Sequence, residues 1–286
     1  MYKIAILGCE NSHADAFIKL IKTEKYSDIE VVGVYTDDES ANVRMRDNYG
    51  VYTAASYDEF VGRVDGIMIT ARHGDNHMKY ALPYLASGIP MFIDKPATAS
   101  VEDARTFADL LVKHGIRFSG GSSCIHTPEL CSLISEVQGG EYGKLLGGNV
   151  RAPISLTNPY GDFWFYAQHL VQIMQQTFGY YPESVKAYVR DGQFNCIYRY
   201  PDFDVYAEFV DGNYLYHISV STEKAVKHTD ISVTEAIFEY ELAEYVKVLK
   251  GDPSPYSIPD FFAPVFVIDA TIRAIASGKE EKIGRL

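Results

Sequence analysis

Over its first 120 residues the chain alternates between two patterns, and that alternation leaves few folds open to it. Short apolar runs at 3–8, 30–36, 66–70, 90–94 and 116–119, with a weaker one at 51–54, have the length and saturation of strands buried on both faces. Between them lie amphipathic stretches at 14–25, 39–49, 57–61, 77–87 and 101–114. In the last of these Ala104, Phe107, Ala108, Leu111 and Val112 recur at helical spacing, and Ser100 stands where an N-cap belongs. Repeated strand–helix units imply a parallel sheet covered on both faces, and right-handed crossovers make it doubly wound.

The pattern changes after Gly120-Gly121. Residues 127–137 read as a helix, 145–154 as a strand and 162–178 as a second helix, followed by four alternating runs. Phe203, Val205, Ala207 and Phe209 share one face; across the turn Asp211-Gly212-Asn213, Tyr214, Tyr216, Ile218 and Val220 share another. Short turns between such runs predict antiparallel pairing. Helices at 236–249 and 261–276 close the chain. With about 150 residues per domain as a guide, the 286 residues divide into a doubly wound α/β domain over 1–122 and an α+β domain over 123–286. The latter carries an open-faced, mainly antiparallel sheet. Tyr198, Tyr200, Tyr206, Tyr214 and Tyr216 line its strands, and a tyrosine-rich outer face predicts pairing into a homodimer or homotetramer.

Charge excludes one class of partner. With 26 basic and 38 acidic residues the net charge is −12, the wrong sign for displacing counterions from nucleic acid. No apolar run nears the roughly 18 residues of a membrane span, and the first strand begins too early for a signal peptide. The cysteines Cys9, Cys124, Cys131 and Cys196 lack metal or disulfide spacing. The expected setting is the cytoplasm.

In a doubly wound sheet, ligands gather beyond the carboxyl ends of the strands. The first such end is Gly8-Cys9-Glu10-Asn11-Ser12-His13. Against the dinucleotide pattern G-x-G-x-x-G, only Gly8 remains; Glu10 replaces the second glycine and would repel a phosphate unless it turns away. Asn11, Ser12 and His13 still lead into a helix N-terminus that can face an anion. At the second strand's end Thr36-Asp37-Asp38 offers either an acid for a ribose, which would disfavour NADP, or a helix cap. The run Thr70-Ala71-Arg72-His73, followed by His77, is a polar loop at the next edge, and Ile93-Asp94-Lys95-Pro96 sets one lysine at the carboxyl end of an apolar strand. A desolvated lysine there suits proton transfer; the competing reading is a strand-end ion pair with Asp94. The histidines His13, His73, His77 and His126 match no metal-ligand spacing.

The stretch His77-x₃-Ala81-Leu82-x₂-Leu85-x₂-Gly88-x₄-Ile93-Asp94-Lys95-Pro96 resembles the H-x₃-A-L-x₂-L-x₂-G-x₄-[EC]-E-K-P run of the glucose–fructose oxidoreductase and inositol dehydrogenase family (Gfo/Idh/MocA). Gly120-Gly121, Gly50-Val51 and residues 261–279 resemble further parts of it. The resemblance implies a Rossmann domain, an open-faced sheet domain, and NAD(P)-dependent oxidation or reduction of a sugar, polyol or related small molecule. It assigns Lys95 and His169 to catalysis, and Gly8, Glu10, Asn11, Ser12, His13, Thr36, Asp37, Thr70, Ala71, Arg72, His73, His77, Asp94 and Lys95 to the cofactor, NAD or NADP with NAD favoured. The family's D-x-x-x-H helix is only half kept: His169 fits the histidine, Phe165 stands in place of the aspartate, and Asp162 lies two helical turns before His169. His169, Gln172 and Gln176 fall on a polar face, apart from the stripe of Leu170, Ile173, Met174 and Phe178. Two other classes compete: a catalytically silent sugar- or nucleotide-sensing protein on the same scaffold, and a metal-dependent lyase or hydrolase using the histidines.

Overall fold

The computed structural model describes all residues, Met1–Leu286, and they form two compact units. The first unit opens with β1 (Tyr2–Leu7), α1 (Ser12–Ile21), β2 (Ile29–Tyr35), α2 (Glu39–Tyr49), β3 (Gly66–Ile69), α3 (Asp75–Ala81), β4 (Met91–Asp94), α4 (Val101–His114) and β5 (Phe118–Gly121). The strands are parallel, in the order β2-β1-β3-β4-β5. Every residue of β3, β4 and β5 is buried, as a sheet covered on both faces requires. Ser100 caps α4 through the Asp103 N–H, and Gly115 closes it in the left-handed region. Three expectations need correction. Residues 51–54 form no strand, only a bridge between Thr53 and Val34; residues 57–61 are turns; and the helix expected over 77–87 gives way at Leu82 to a 3₁₀ turn, where Pro83 withholds an amide hydrogen.

The second unit comprises Ser122–Thr234 with Pro259–Leu286. In chain order it contains α5 (Pro128–Gln138), β6 (Leu145–Ile154), α6 (Phe163–Phe178), β7 (Ser184–Arg190), β8 (Gln193–Arg199), β9 (Asp204–Asp211), β10 (Tyr216–Thr222) and β11 (Val226–Ile231). After α7 (Ile237–Leu249) come α8 (Ile258–Ser277) and β12 (Glu280–Lys282). The sheet order is β11-β10-β6-β9-β8-β7-β12, antiparallel except for the pair β6–β9. The expected hairpin of β9 with β10 is therefore absent, because β6 lies between them. Two glycines admit it: a Cβ on Gly147 would stand 2.5 Å from the Asp204 carbonyl of β9, and one on Gly148 2.2 Å from the Ser219 carbonyl of β10.

α7 corrects the single boundary at 122/123, since Glu235–Ile258 rejoin the first unit. Its Leu242, Tyr245, Val246 and Leu249 pack in one core with Ile4, Ile6, Phe17, Met68 and Phe92. Arg117 donates to the Val248 carbonyl (2.7 Å), and the Phe118 N–H on the edge strand β5 finds the Ser254 hydroxyl (2.9 Å). In the second sheet Val205, Ala207 and Phe209 face the core, and Tyr198, Tyr200 and Tyr216 are buried as well. Tyr214 precedes β10, so the exposed tyrosines on strands reduce to Tyr188 and Tyr206. No helix is long and apolar enough to cross a membrane.

The glycine argument can be tested by stability. Gly148→Ala should cost about 3 kcal/mol, the upper range for overpacking, because strand backbone must move. Gly192, at φ +66 with nothing within 4 Å, should lose only about 1 kcal/mol on change to Ala. Urea melts of the two variants measure the difference.

Candidate active site

The carboxyl edge of the first sheet holds three groups of side chains. The first fixes the loop after β1. Gly8 lies so close to the loop after β3 that a Cβ would be 2.2 Å from the Ala71 nitrogen. Thr70 Oγ1 donates to the Gly8 carbonyl (3.1 Å), and His77 Nε2 lies 2.8 Å from the Ala71 carbonyl. Complete burial pushes the His77 imidazole below its ordinary range, so this histidine is a neutral strut.

The second group involves Glu10. Its Oε1 accepts from the Arg72 N–H (3.0 Å) and its Oε2 from Thr36 Oγ1 (2.8 Å). The carboxylate thus lies across the ends of β2 and β3 and turns away from the start of α1. Asp38, not Asp37, caps α2, accepting from the Ser40 and Ala41 N–H groups. Asp37 remains exposed, takes the Tyr35 hydroxyl, and has Lys79 Nζ at 4.0 Å.

The third group surrounds Asp94, which has no solvent exposure. Its Oδ2 lies 2.7 Å from His13 Nδ1 and accepts from Asn11 Nδ2 at 3.2 Å, while Oδ1 takes the Lys95 N–H at 2.7 Å. Burial alone would raise this carboxyl; the charges of His13 and Lys95 and the His13 hydrogen bond outweigh it and hold the group below its ordinary value. Lys95 is buried beside it.

Sequence reasoning missed Glu241 of α7. It is fully buried, and neither carboxyl oxygen has a hydrogen-bond partner. Burial, then the charges of Asp94 and Glu244, raise it well above the usual carboxylate range against the opposing pull of Lys95. The shift favours its protonated form. A signal existed: Ile237, Glu241, Tyr245 and Leu249 recur every four residues, which puts an acid in an apolar stripe.

Other expected residues stand apart. His73 pairs with the exposed Asp75 at 3.6 Å, and Ser12 is the exposed first residue of α1. The candidate histidines are dispersed, and no three His, Cys, Asp or Glu side chains gather as metal ligands.

In the second unit the expected polar face of α6 is buried: His169 and Gln172 are both nearly inaccessible. His169 Nδ1 lies 2.7 Å from Ser122 Oγ and 3.3 Å from Cys124 Sγ. Gln172 Oε1 accepts from the Ser122 N–H (2.7 Å) and from Gln168 Nε2 (3.0 Å). Asp162 does not substitute for the missing aspartate, because its Oδ1 accepts from the Asn158 N–H in the preceding loop (2.9 Å). The groups facing His169 Nδ1 are the Ser122 hydroxyl and the Cys124 thiol. Around it, burial drives His126 down to about 4 and raises the Tyr216 phenol, with Cys124 adding to that rise. Ser122 and Cys124 carried no motif that could have singled them out.

A dinucleotide laid along the first sheet's edge fits these groups. The start of α1 offers its N–H end, Asn11 caps it, Glu10 points elsewhere, and the first-turn acid Asp15 is held by Arg44 (3.1 Å) and the Tyr49 hydroxyl (2.9 Å). Residues 2–122 match the model of the Gfo/Idh/MocA oxidoreductase family, NAD-binding Rossmann fold. The rhizopine catabolism protein MocA of Rhizobium meliloti is 25% identical over 119 residues, which are 41% of this chain and 37% of that protein. Among solved structures, myo-inositol 2-dehydrogenase from Lactobacillus plantarum is 14% identical with a TM-score of 0.85, over 99% of each chain. Scyllo-inositol dehydrogenase from Lactobacillus casei, with bound NAD(H) and scyllo-inositol, is 13% identical with a TM-score of 0.84, again over 99% of each. These likenesses are of fold.

The protonation of Glu241 has a measurable sign. A carboxyl raised by folding stabilises fully below its unfolded value, near 4.5, and that stability is lost as pH rises toward the folded value. Glu241→Gln removes the titration. Its stability relative to the parent should therefore grow as pH rises above 4.5, by up to about 1.4 kcal/mol per pH unit. Urea melts from pH 5 to 8 check this, and a constant difference would mean that Glu241 is ionised.

Proposed function

We propose that the protein is an NAD(P)-dependent oxidoreductase that moves hydride between a nicotinamide and a hydroxyl or carbonyl carbon of a sugar, polyol or related small molecule, with NAD preferred. The observation that carries this reading is the Asp94–Lys95 corner at the carboxyl end of β4, a buried lysine held next to a carboxylate that accepts three hydrogen bonds. The family of the first unit and the polyol named with scyllo-inositol dehydrogenase support it. When bound, the dinucleotide supplies the hydride acceptor or donor. Lys95 polarises the substrate oxygen with its ammonium. His169 takes the hydroxyl proton in oxidation and returns it in reduction, at the nitrogen not facing Ser122. The buried cysteines Cys9, Cys124 and Cys196 form no disulfide, which suits a reducing cytoplasm.

One observation favours the silent sensor instead: His169 faces a hydroxyl and a thiol where the family places a carboxylate. Turnover separates the two readings. Calorimetric titration should show binding of NAD, tighter than of NADP, and a panel of polyols and aldoses should show NAD reduction. Binding without turnover on the whole panel would favour the sensor. Lys95→Met should leave NAD affinity nearly unchanged and lower kcat/KM by roughly 10²-fold or more, and His169→Ala should do the same.

We also propose that a second copy covers the outer face of the second sheet. Tyr206 is 54% exposed and Tyr188 49%, and with Ile197 they border a shallow hollow on that face. Pairing about a two-fold axis would bury it into a dimer or tetramer. Light scattering at micromolar concentration should report more than a monomer, and Tyr206→Glu should dissociate the assembly without unfolding it.

A further inference from the structure

We infer that Glu10 reads the adenosine ribose and sets the preference for NAD over NADP, a role that rests on the dinucleotide reading proposed above. In a doubly wound sheet the first strand–helix turn and the end of the second strand bracket the adenosine half of the cofactor, and a ribose diol there needs a carboxylate acceptor. Asp37 occupies the usual position for that acid but is poorly placed to serve. It takes the Tyr35 hydroxyl, its side chain is 69% exposed, and the Lys79 ammonium at 4.0 Å offsets its charge.

Glu10 has what Asp37 lacks. Thr36 Oγ1 at the end of β2 and the Arg72 N–H after β3 hold its two oxygens on that same edge. A carboxylate can accept about four hydrogen bonds, so each oxygen keeps capacity for a ribose hydroxyl. The two anchors fix the group before any ligand arrives, which lowers the entropic cost of binding. The same charge repels a 2′-phosphate, which is itself an anion. The replacement of the second fingerprint glycine is then an exchange of function: the side chain is drawn along the strand ends, away from the α1 N-terminus, and brings the ribose acid from the first turn.

The test is the Kd for NAD and for NADP, measured by calorimetry on the ligand-free protein and its variants, with melting temperatures to verify folding. Glu10→Gln keeps the shape and removes the charge; it should lower the ratio Kd(NADP)/Kd(NAD) by at least about tenfold. Thr36→Val releases one anchor but keeps the charge, so NAD should weaken while NADP stays excluded. Asp37→Asn should change the ratio by less than about threefold. An unchanged ratio in Glu10→Gln with NAD still bound, or the large shift appearing in Asp37→Asn, overturns the assignment to Glu10 and leaves the oxidoreductase reading intact. If the parent protein binds neither dinucleotide, both fall.

Discussion

An ionised carboxylate removed from water must be given donors, and Asp94 is such a group. Two of its three donors, the side chains of Asn11 and His13, come from the turn after β1, and the third is the next backbone N–H in its own chain. Supplying them forces that turn over the end of β4. Asn11 consequently works twice, accepting from the His13 N–H through Oδ1 to start α1 and donating through Nδ2 to Asp94. The same constraint explains Glu241. With Asp94 ionised nearby and no donor for either of its own oxygens, a second negative charge there is opposed, so the protonated form is favoured. Two acids in one buried region are thereby shifted in opposite directions by their surroundings.

Much of the first unit was legible because a strand buried on both faces is mostly apolar, and β1 to β5 are runs of that kind broken only by Lys3, Glu30, Asp94 and Ser119, within a residue or two of their expected ends. Sheet order in the second unit was not. Alternation along β9 and β10 says that each has a core face, but it does not name the neighbour; the insertion of β6 depends on Gly147 and Gly148, whose missing side chains become meaningful only against Asp204 and Ser219. The return of α7 was hidden for a similar reason, since an apolar stripe reads alike whichever sheet it covers. Glu10 was visible as an oddity in a glycine position, whereas its direction needed the coordinates of Thr36 and Arg72. His169 is visible in the sequence as part of a polar face, but the burial of that face is not: Gln168 and Gln172 satisfy each other and the Ser122 N–H.

The serine beside His169 changes what that histidine can do. A carboxylate partner stabilises the imidazolium by charge and fixes the ring's proton on the facing nitrogen. A hydroxyl stabilises the cation less, and because it can both donate and accept it imposes no single tautomer. Burial also keeps His126 neutral and the phenol of Tyr216, whose ring is 6.4 Å from the imidazole, protonated. In the tautomer with Nδ1–H donated to Ser122, Nε2 is left as the ring's acceptor. The first unit shows the opposite economy, with charge concentrated at Asp94, which accepts three hydrogen bonds. A hydroxyl and a thiol beside one imidazole, and an ionised acid beside one buried lysine, are two different electrostatic settings within one chain.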